Sequence, residues 1–218
     1  MLASPAPSSA TPKRTSGDRV LLGVVVTSVA AALLAQLAPA VGEAWQWDPA
    51  QAQTERLWRL FACHLSHWSW DHLTWDLATF VGLALTCRRH APWRTLIALA
   101  CAAAIIPWAV TEAHPQLTSY RGLSGIDSAL FVVWTSLVWQ ASRRAGDRVS
   151  AGLAALGIAG FLGKSLFEIF TGSTLFVDSA AAGFTPLPVA HLAGAAAGLA
   201  AAWLPLPPIA AKRYNWGF

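Results

Sequence analysis

Apolar residues in this chain fall in long unbroken runs rather than at alternate positions or along one helical face. Six runs are present: Val20–Ala38, Leu73–Cys87, Trp93–Val110, Ser124–Trp139, Ala151–Phe170 and Val189–Leu206. A helix needs about 20 apolar residues to cross the roughly 30 Å hydrocarbon core of a bilayer, and each run approaches that length. The pattern predicts an all-α integral membrane protein, a bundle of six transmembrane helices. The second and fourth runs are short because polar residues stand at their starts. That placement predicts helix starts buried in protein, in preference to a thinned bilayer. Ala and Gly crowd the last two runs, as close packing of helices in a membrane requires.

The segments between the runs complete the organisation. Residues 1–19 are rich in Pro, Ser and Thr and read as a disordered tail. Residues 20–206 form the membrane domain, and residues 207–218 a short second tail. The stretch 41–71 is too long for a mere connector and holds Trp45, Trp47, Trp58, Trp68 and Trp70. Trp favours the headgroup layer, ring in the apolar zone and N–H towards water. A structured loop resting on one leaflet is expected there. A cleaved signal peptide is the rival reading of the first run, because Ala38-Pro39-Ala40 has the small residues of a cleavage site. The run is longer than the 7–15 residues of such a segment, so a retained helix is expected.

Composition excludes a soluble domain. The chain is 55% hydrophobic and only 12% charged, half of the roughly 25% charge that covers a water-facing surface. The net charge of +4 invites a nucleic-acid reading, which the positions reject. Eleven of the 15 basic residues lie before the first run, between the second and third, between the fourth and fifth, or after the sixth. The positive-inside rule then places both termini in the cytoplasm. Eight of the 11 acids lie towards the opposite face. Cys63, Cys87 and Cys101 offer neither a disulfide framework nor a zinc spacing and read as packing residues. No metal or cofactor is expected.

Polar groups inside the runs are costly and so mark function. In the predicted orientation, runs two, four and six all enter from the outer face. Run two opens with His67, His72 and Asp76. Run four opens with Gly122-Leu123-Ser124-Gly125 and carries Asp127 one turn deeper, and run six opens with His191. A serine hydroxyl becomes a nucleophile when a neighbouring base, usually histidine, takes its proton. Glycines beside the serine and a helix N-terminus together supply free N–H groups for an oxyanion. Each motif alone is weak: Ser124 could pack, and His191 with Gly194 and Gly198 could form a small-residue helix face. All three at one depth point to a site.

The order Trp58-Arg59, His67-x4-His72-x3-Asp76, Gly122-Leu123-Ser124-Gly125 and Ala190-His191-x2-Gly194-x3-Gly198 resembles the rhomboid intramembrane serine proteases in their six-helix bacterial form. The resemblance covers 58–206. It implies a Ser124–His191 catalytic dyad with no required acid, and an oxyanion hole built from the Ser124 N–H, His72 and the position of Asp76, beside Gly122. His67 and Asp127 are accessory candidates. It further implies transmembrane or membrane-anchored protein substrates, entering from the lipid bilayer, and residence in a bacterial cytoplasmic membrane. The Trp-rich segment His67-Trp68-Ser69-Trp70-Asp71-His72 is similar to the rhombosortase branch, which is associated with cutting GlyGly-type C-terminal sorting tails of exported proteins.

Two departures bear on the site. The family usually has Asn at the place of Asp76; an aspartate would either donate to the oxyanion as a neutral acid or pair with His72 and orient it. Ser128 stands where an aromatic ring often stacks on the histidine, so His191 must be oriented otherwise. Asp127 is a tempting third member, with a structural hydrogen bond as its bland alternative, and Lys164 and Glu168 read as a simple i,i+4 ion pair. The segment 171–188 is expected to cap the site. Three rival readings remain. An inactive relative that binds membrane helices for quality control would lack Ser124 or His191. A transporter would need polar residues along a whole pathway. A soluble esterase would need G-x-S-x-G, which the Gly directly after Ser124 breaks.

Overall fold

The computed structural model describes residues 15–49, 57–175, 177, 179–182 and 184–205. The predicted tails at 1–14 and 207–218, and part of the first loop (50–56), lie outside the described residues. Regular structure among the described residues is helical: α1 (Ser16–Leu37), α2 (Pro39–Trp45), α3 (Arg59–Ala62), α4 (Trp70–His90), α5 (Pro92–Ala113), α6 (Ser124–Ala145), α7 (Arg148–Thr171), α8 (Ser179–Ala182) and α9 (Pro188–Ala202). An isolated antiparallel bridge pairs Trp47 with Tyr120.

Each predicted run corresponds to one of the long helices α1, α4, α5, α6, α7 and α9. Three of them, α1, α5 and α7, are long and apolar enough to cross a membrane, with mean hydropathies of 2.3, 1.9 and 1.6. The chain is an all-α membrane protein. Helix α9 is apolar but has only 15 residues. Helices α4 and α6 have the length, but carry polar starts and arginine ends. Those polar starts are inside the bundle: His72, Asp76, Asp127 and Ser128 are all buried. Helix α1 starts earlier than its apolar run, because Thr15 and Asp18 form a reciprocal capping box. Residues 16–19 are therefore helix and not tail.

Helix α6 lies at the centre, packed on α4, α5, α7 and α9. Its seam with α9 is closed by glycines. A Cβ on Gly194 would fall onto the Gly125 carbonyl oxygen, and one on Gly198 onto that of Ala129. Lipid tails are as apolar as a leucine side chain, so a membrane gives little drive to bury apolar area between helices. Close backbone approach, with its dispersion and polar contacts, replaces that drive. Cys63 and Cys87 are buried as expected of packing residues, whereas Cys101 is exposed on α5.

The segment after α3 is docked by one proline. Pro107 inside α5 has no N–H, which leaves the Ala103 carbonyl without its helical donor. His64 Nε2 lies 3.1 Å from that carbonyl oxygen. On the other side of the ring, His64 Nδ1 lies 3.2 Å from the Gly122 carbonyl oxygen, and burial pushes the His64 pKa below the ordinary imidazole value. Next to His64, the Cys63 carbonyl accepts from Gly122 N–H at 3.1 Å. The approach to α6 is thereby fixed.

The two ends of the bundle differ. Tight connections, Ala91 between α4 and α5 and Gly146-Asp147 between α6 and α7, gather Arg88, Arg89, Arg94, Arg143, Arg144 and Arg148 at one end. Arg94 and Gln140 tie the end of α9 there by bonding the Leu204 and Ala202 carbonyls. The starts of α4, α6 and α9 and the last turns of α7 lie at the other.

Candidate active site

Local rules bring each side chain to that second end. Ser69 caps α4 by accepting from His72 N–H at 3.1 Å, which sets His72 in the first turn and Asp76 one turn on. Pro188 occupies the first position of α9 and puts His191 in its first turn. The start of α6 has no capping side chain of its own. Asp76 supplies the cap from α4: its Oδ2 accepts from Leu123 N–H at 2.8 Å. A carboxylate suits the positive end of the α6 dipole.

The glycine before that start is required. Gly122 has φ +123°, and a Cβ on it would lie 2.9 Å from the His72 ring. With no side chain there, His72 closes over the backbone and its Nε2 comes to 3.3 Å from Asp76 Oδ2. His67 Nε2 lies 3.2 Å from the same oxygen, and burial keeps the His67 pKa below the usual imidazole value. Asp76 thus receives the Leu123 N–H and sits between two imidazoles. Both roles open to Asp76 put it beside His72, and its Oδ2 lies within 3.3 Å of both rings.

Ser124, the first residue of α6, is half-buried. Its Oγ lies 3.1 Å from His191 Nε2 across the glycine seam. On the other side of the ring, His191 Nδ1 lies 3.1 Å from Glu168 Oε2 on α7. Glu168 Oε1 in turn pairs with Lys164 Nζ at 2.7 Å. The Lys164–Glu168 pair expected from the i,i+4 spacing exists, but it is not simple, since its carboxylate continues to the histidine. Asp127 is buried with Oδ1 unpartnered and makes no bond to His191. The carboxylate in contact with His191 Nδ1 is that of Glu168. Ser128, where a stacking ring was missing, donates to the Ser124 carbonyl at 2.9 Å. Glu168 is the other means of orienting His191.

Ser124, His191, His72, Asp76, Asp127 and Lys164 line one cavity of about 680 Å³. Part of the segment before α9 covers it. Phe184 is sandwiched, stacked on His72 with centroids 4.9 Å apart and on Trp68 at 6.3 Å. Arg121 lies over the Trp68 ring, 4.5 Å from its centroid. No group of three or more metal-binding side chains occurs among the described residues.

The sequence model of the Rhomboid domain matches residues 54–208, more than half of the chain. The chain belongs to the rhomboid family. No curated protein matches it significantly. Rhomboids are typically intramembrane serine proteases that act on membrane-protein substrates within the bilayer, and the matched region holds the whole cavity lining. Of the residues that the sequence singles out in this rhomboid, Ser124, His191, His72, Asp76 and Asp127 line the cavity, while Gly122 lies against His72 and His67 against Asp76. Sequence reasoning did not reach Glu168 and Lys164 as partners of His191, or His64 as the prop behind Gly122.

Proposed function

We propose that this rhomboid is a serine endopeptidase with Ser124 as nucleophile and His191 as its base. The observation that carries the reading is the 3.1 Å contact between Ser124 Oγ and His191 Nε2, which favours an active enzyme over an inactive relative. His191 takes the hydroxyl proton as Oγ attacks the scissile carbonyl. As the first residue of α6, Ser124 has an N–H with no intrahelical partner, and with His72 it faces the developing oxyanion. Collapse expels the amine, which receives the proton from His191. Water activated by the same histidine then releases the acyl group.

In this reading α1, α4, α5, α6, α7 and α9 span the bilayer, with the arginine-rich end and both termini in the cytoplasm. The site then lies beneath the outer surface of a bacterial cytoplasmic membrane. The substrate is the transmembrane segment of an anchored protein. The Trp-rich run 67–72 supports a rhombosortase acting on GlyGly-type C-terminal tails.

Fluorophosphonate labelling in detergent tests the chemistry. Wild type is expected to label, while Ser124→Ala and His191→Ala do not; equal labelling of all three defeats the dyad. A strain deleted for the gene tests the substrate. GlyGly-tailed exported proteins are expected to stay in its membranes, and release of all of them as in the parent removes the rhombosortase assignment.

A further inference from the structure

The resemblance to rhomboids implies a serine–histidine pair alone, yet the described structure sets a charged relay of contacts behind His191. We propose that Glu168 is the positioning carboxylate of a Ser124–His191–Glu168 triad, and that Lys164 sets the basicity of its histidine. The proposal rests on the dyad reading above.

The geometry leaves little else for Glu168 to do. A neutral imidazole has one ring proton, and Nε2 must be bare to accept the one from Ser124. The proton must therefore sit on Nδ1, and Glu168 Oε2, 3.1 Å away, is the acceptor that holds it there. The Glu168 side chain is 1% exposed. Among the described residues its charged partners are His191 and Lys164. A buried carboxylate with those two contacts fixes both the tautomer and the ring plane.

Lys164 acts in the opposite sense. Its Nζ lies 2.7 Å from Glu168 Oε1 but also 3.4 Å from His191 Nδ1. Facing an N–H rather than a lone pair, the ammonium opposes a second positive charge on the ring, while the carboxylate favours it. The other titratable groups around His191 come from three sides. Asp127 stands on α6, His72 and Asp76 on α4 across the cavity, and Tyr120 and Arg121 on the segment leading into α6. Helix α5, along the far side of α9, adds no charged group to the cavity lining, and its Glu112 is exposed. Glu168 and Lys164 are the two that make direct contact with Nδ1.

The two residues therefore predict opposite shifts, which a merely structural role does not. The test follows fluorophosphonate labelling of Ser124 against pH in detergent for wild type, Glu168→Gln and Lys164→Met, with thermal unfolding recorded for each. In wild type the rate falls through an acid limb set by His191 protonation. Glu168→Gln is expected to slow labelling at least about 100-fold, since a misplaced ring proton disables the base. It should also move the limb down by about one pH unit, and Lys164→Met should move it up by about one. Glu168→Gln that labels within about threefold of wild type with an unmoved limb overturns the proposal, as do shifts of the same sign in both variants. If Glu168→Gln does not fold, Lys164→Met decides alone, and an unmoved limb is fatal. Equal labelling of wild type and Ser124→Ala defeats the dyad and the triad together. Ser124-dependent labelling indifferent to Glu168 and Lys164 defeats only the triad.

Discussion

Helices α6 and α7 are neighbours of almost equal length, 22 and 24 residues, yet 12 residues of α6 are buried and only four of α7. Both contribute to the candidate site. Helix α6 holds Ser124 on a seam where glycines press two backbones together. Helix α7 shows Leu153, Leu156, Leu166, Ile169 and Phe170 on the outside, and two of its four buried residues are Ser165 and Glu168. Where apolar area gains nothing by leaving lipid for protein, small residues and polar contacts decide which helices stay together. The proposed nucleophile and base thus face each other across a seam of touching backbones, and the proposed third member is on a helix held at that end through polar groups.

The largest effect should come from widening the α6–α9 seam. Gly194→Val sets side-chain atoms on the Gly125 carbonyl, and a loss of about 3 kcal/mol with abolished Ser124 labelling is expected, read by thermal unfolding and probe labelling in detergent. A stable, labelling variant would show that the seam can open without cost. Next is the cap that α4 gives α6. Asp76→Leu leaves the Leu123 N–H orphaned and should cost about 1–3 kcal/mol. Asp76→Asn retains an acceptor oxygen and should label within about threefold of wild type; near-complete loss would mean that the carboxylate charge itself is needed. Phe184→Ala removes the ring between His72 and Trp68, and about 1 kcal/mol of stability should go with it while labelling persists. Smallest is Leu153→Ala on the open face of α7. Less than about 0.5 kcal/mol and unchanged labelling are expected there, and a larger loss would show that this face is covered.

How much of this was legible follows from the range of the interactions. The runs could be read because a bilayer sets the length of what crosses it. Ser124 and His191 could be read because helix starts carry local signals: glycines before the serine, Pro188 before the histidine. The capping box at Thr15 is also local, and it starts α1 at Ser16, ahead of the first apolar residue of the run. Glu168 was hidden by its own neighbour. Lys164 at i−4 gave the carboxylate a sufficient partner in sequence, and nothing in the spacing says that α7 turns Oε2 towards α9. His64 was hidden likewise, since its role depends on the carbonyl that Pro107 frees on another helix. The partners of Asp76 are not legible, because they depend on where the Leu123 N–H points. Local chemistry marks candidates; which of them meet is decided by how the helices lean on one another.

The 23-residue separation of Glu168 and His191 has a consequence for descent. A buried carboxylate at that point of α7 is tolerable only while a ring nitrogen and an ammonium neutralise it. Lineages that lose the histidine are expected to lose Glu168 and then Lys164 soon after, whereas Leu153 and Leu156 drift with the lipid. Linked loss of three positions on two helices would be the trace that such a triad leaves in its descendants.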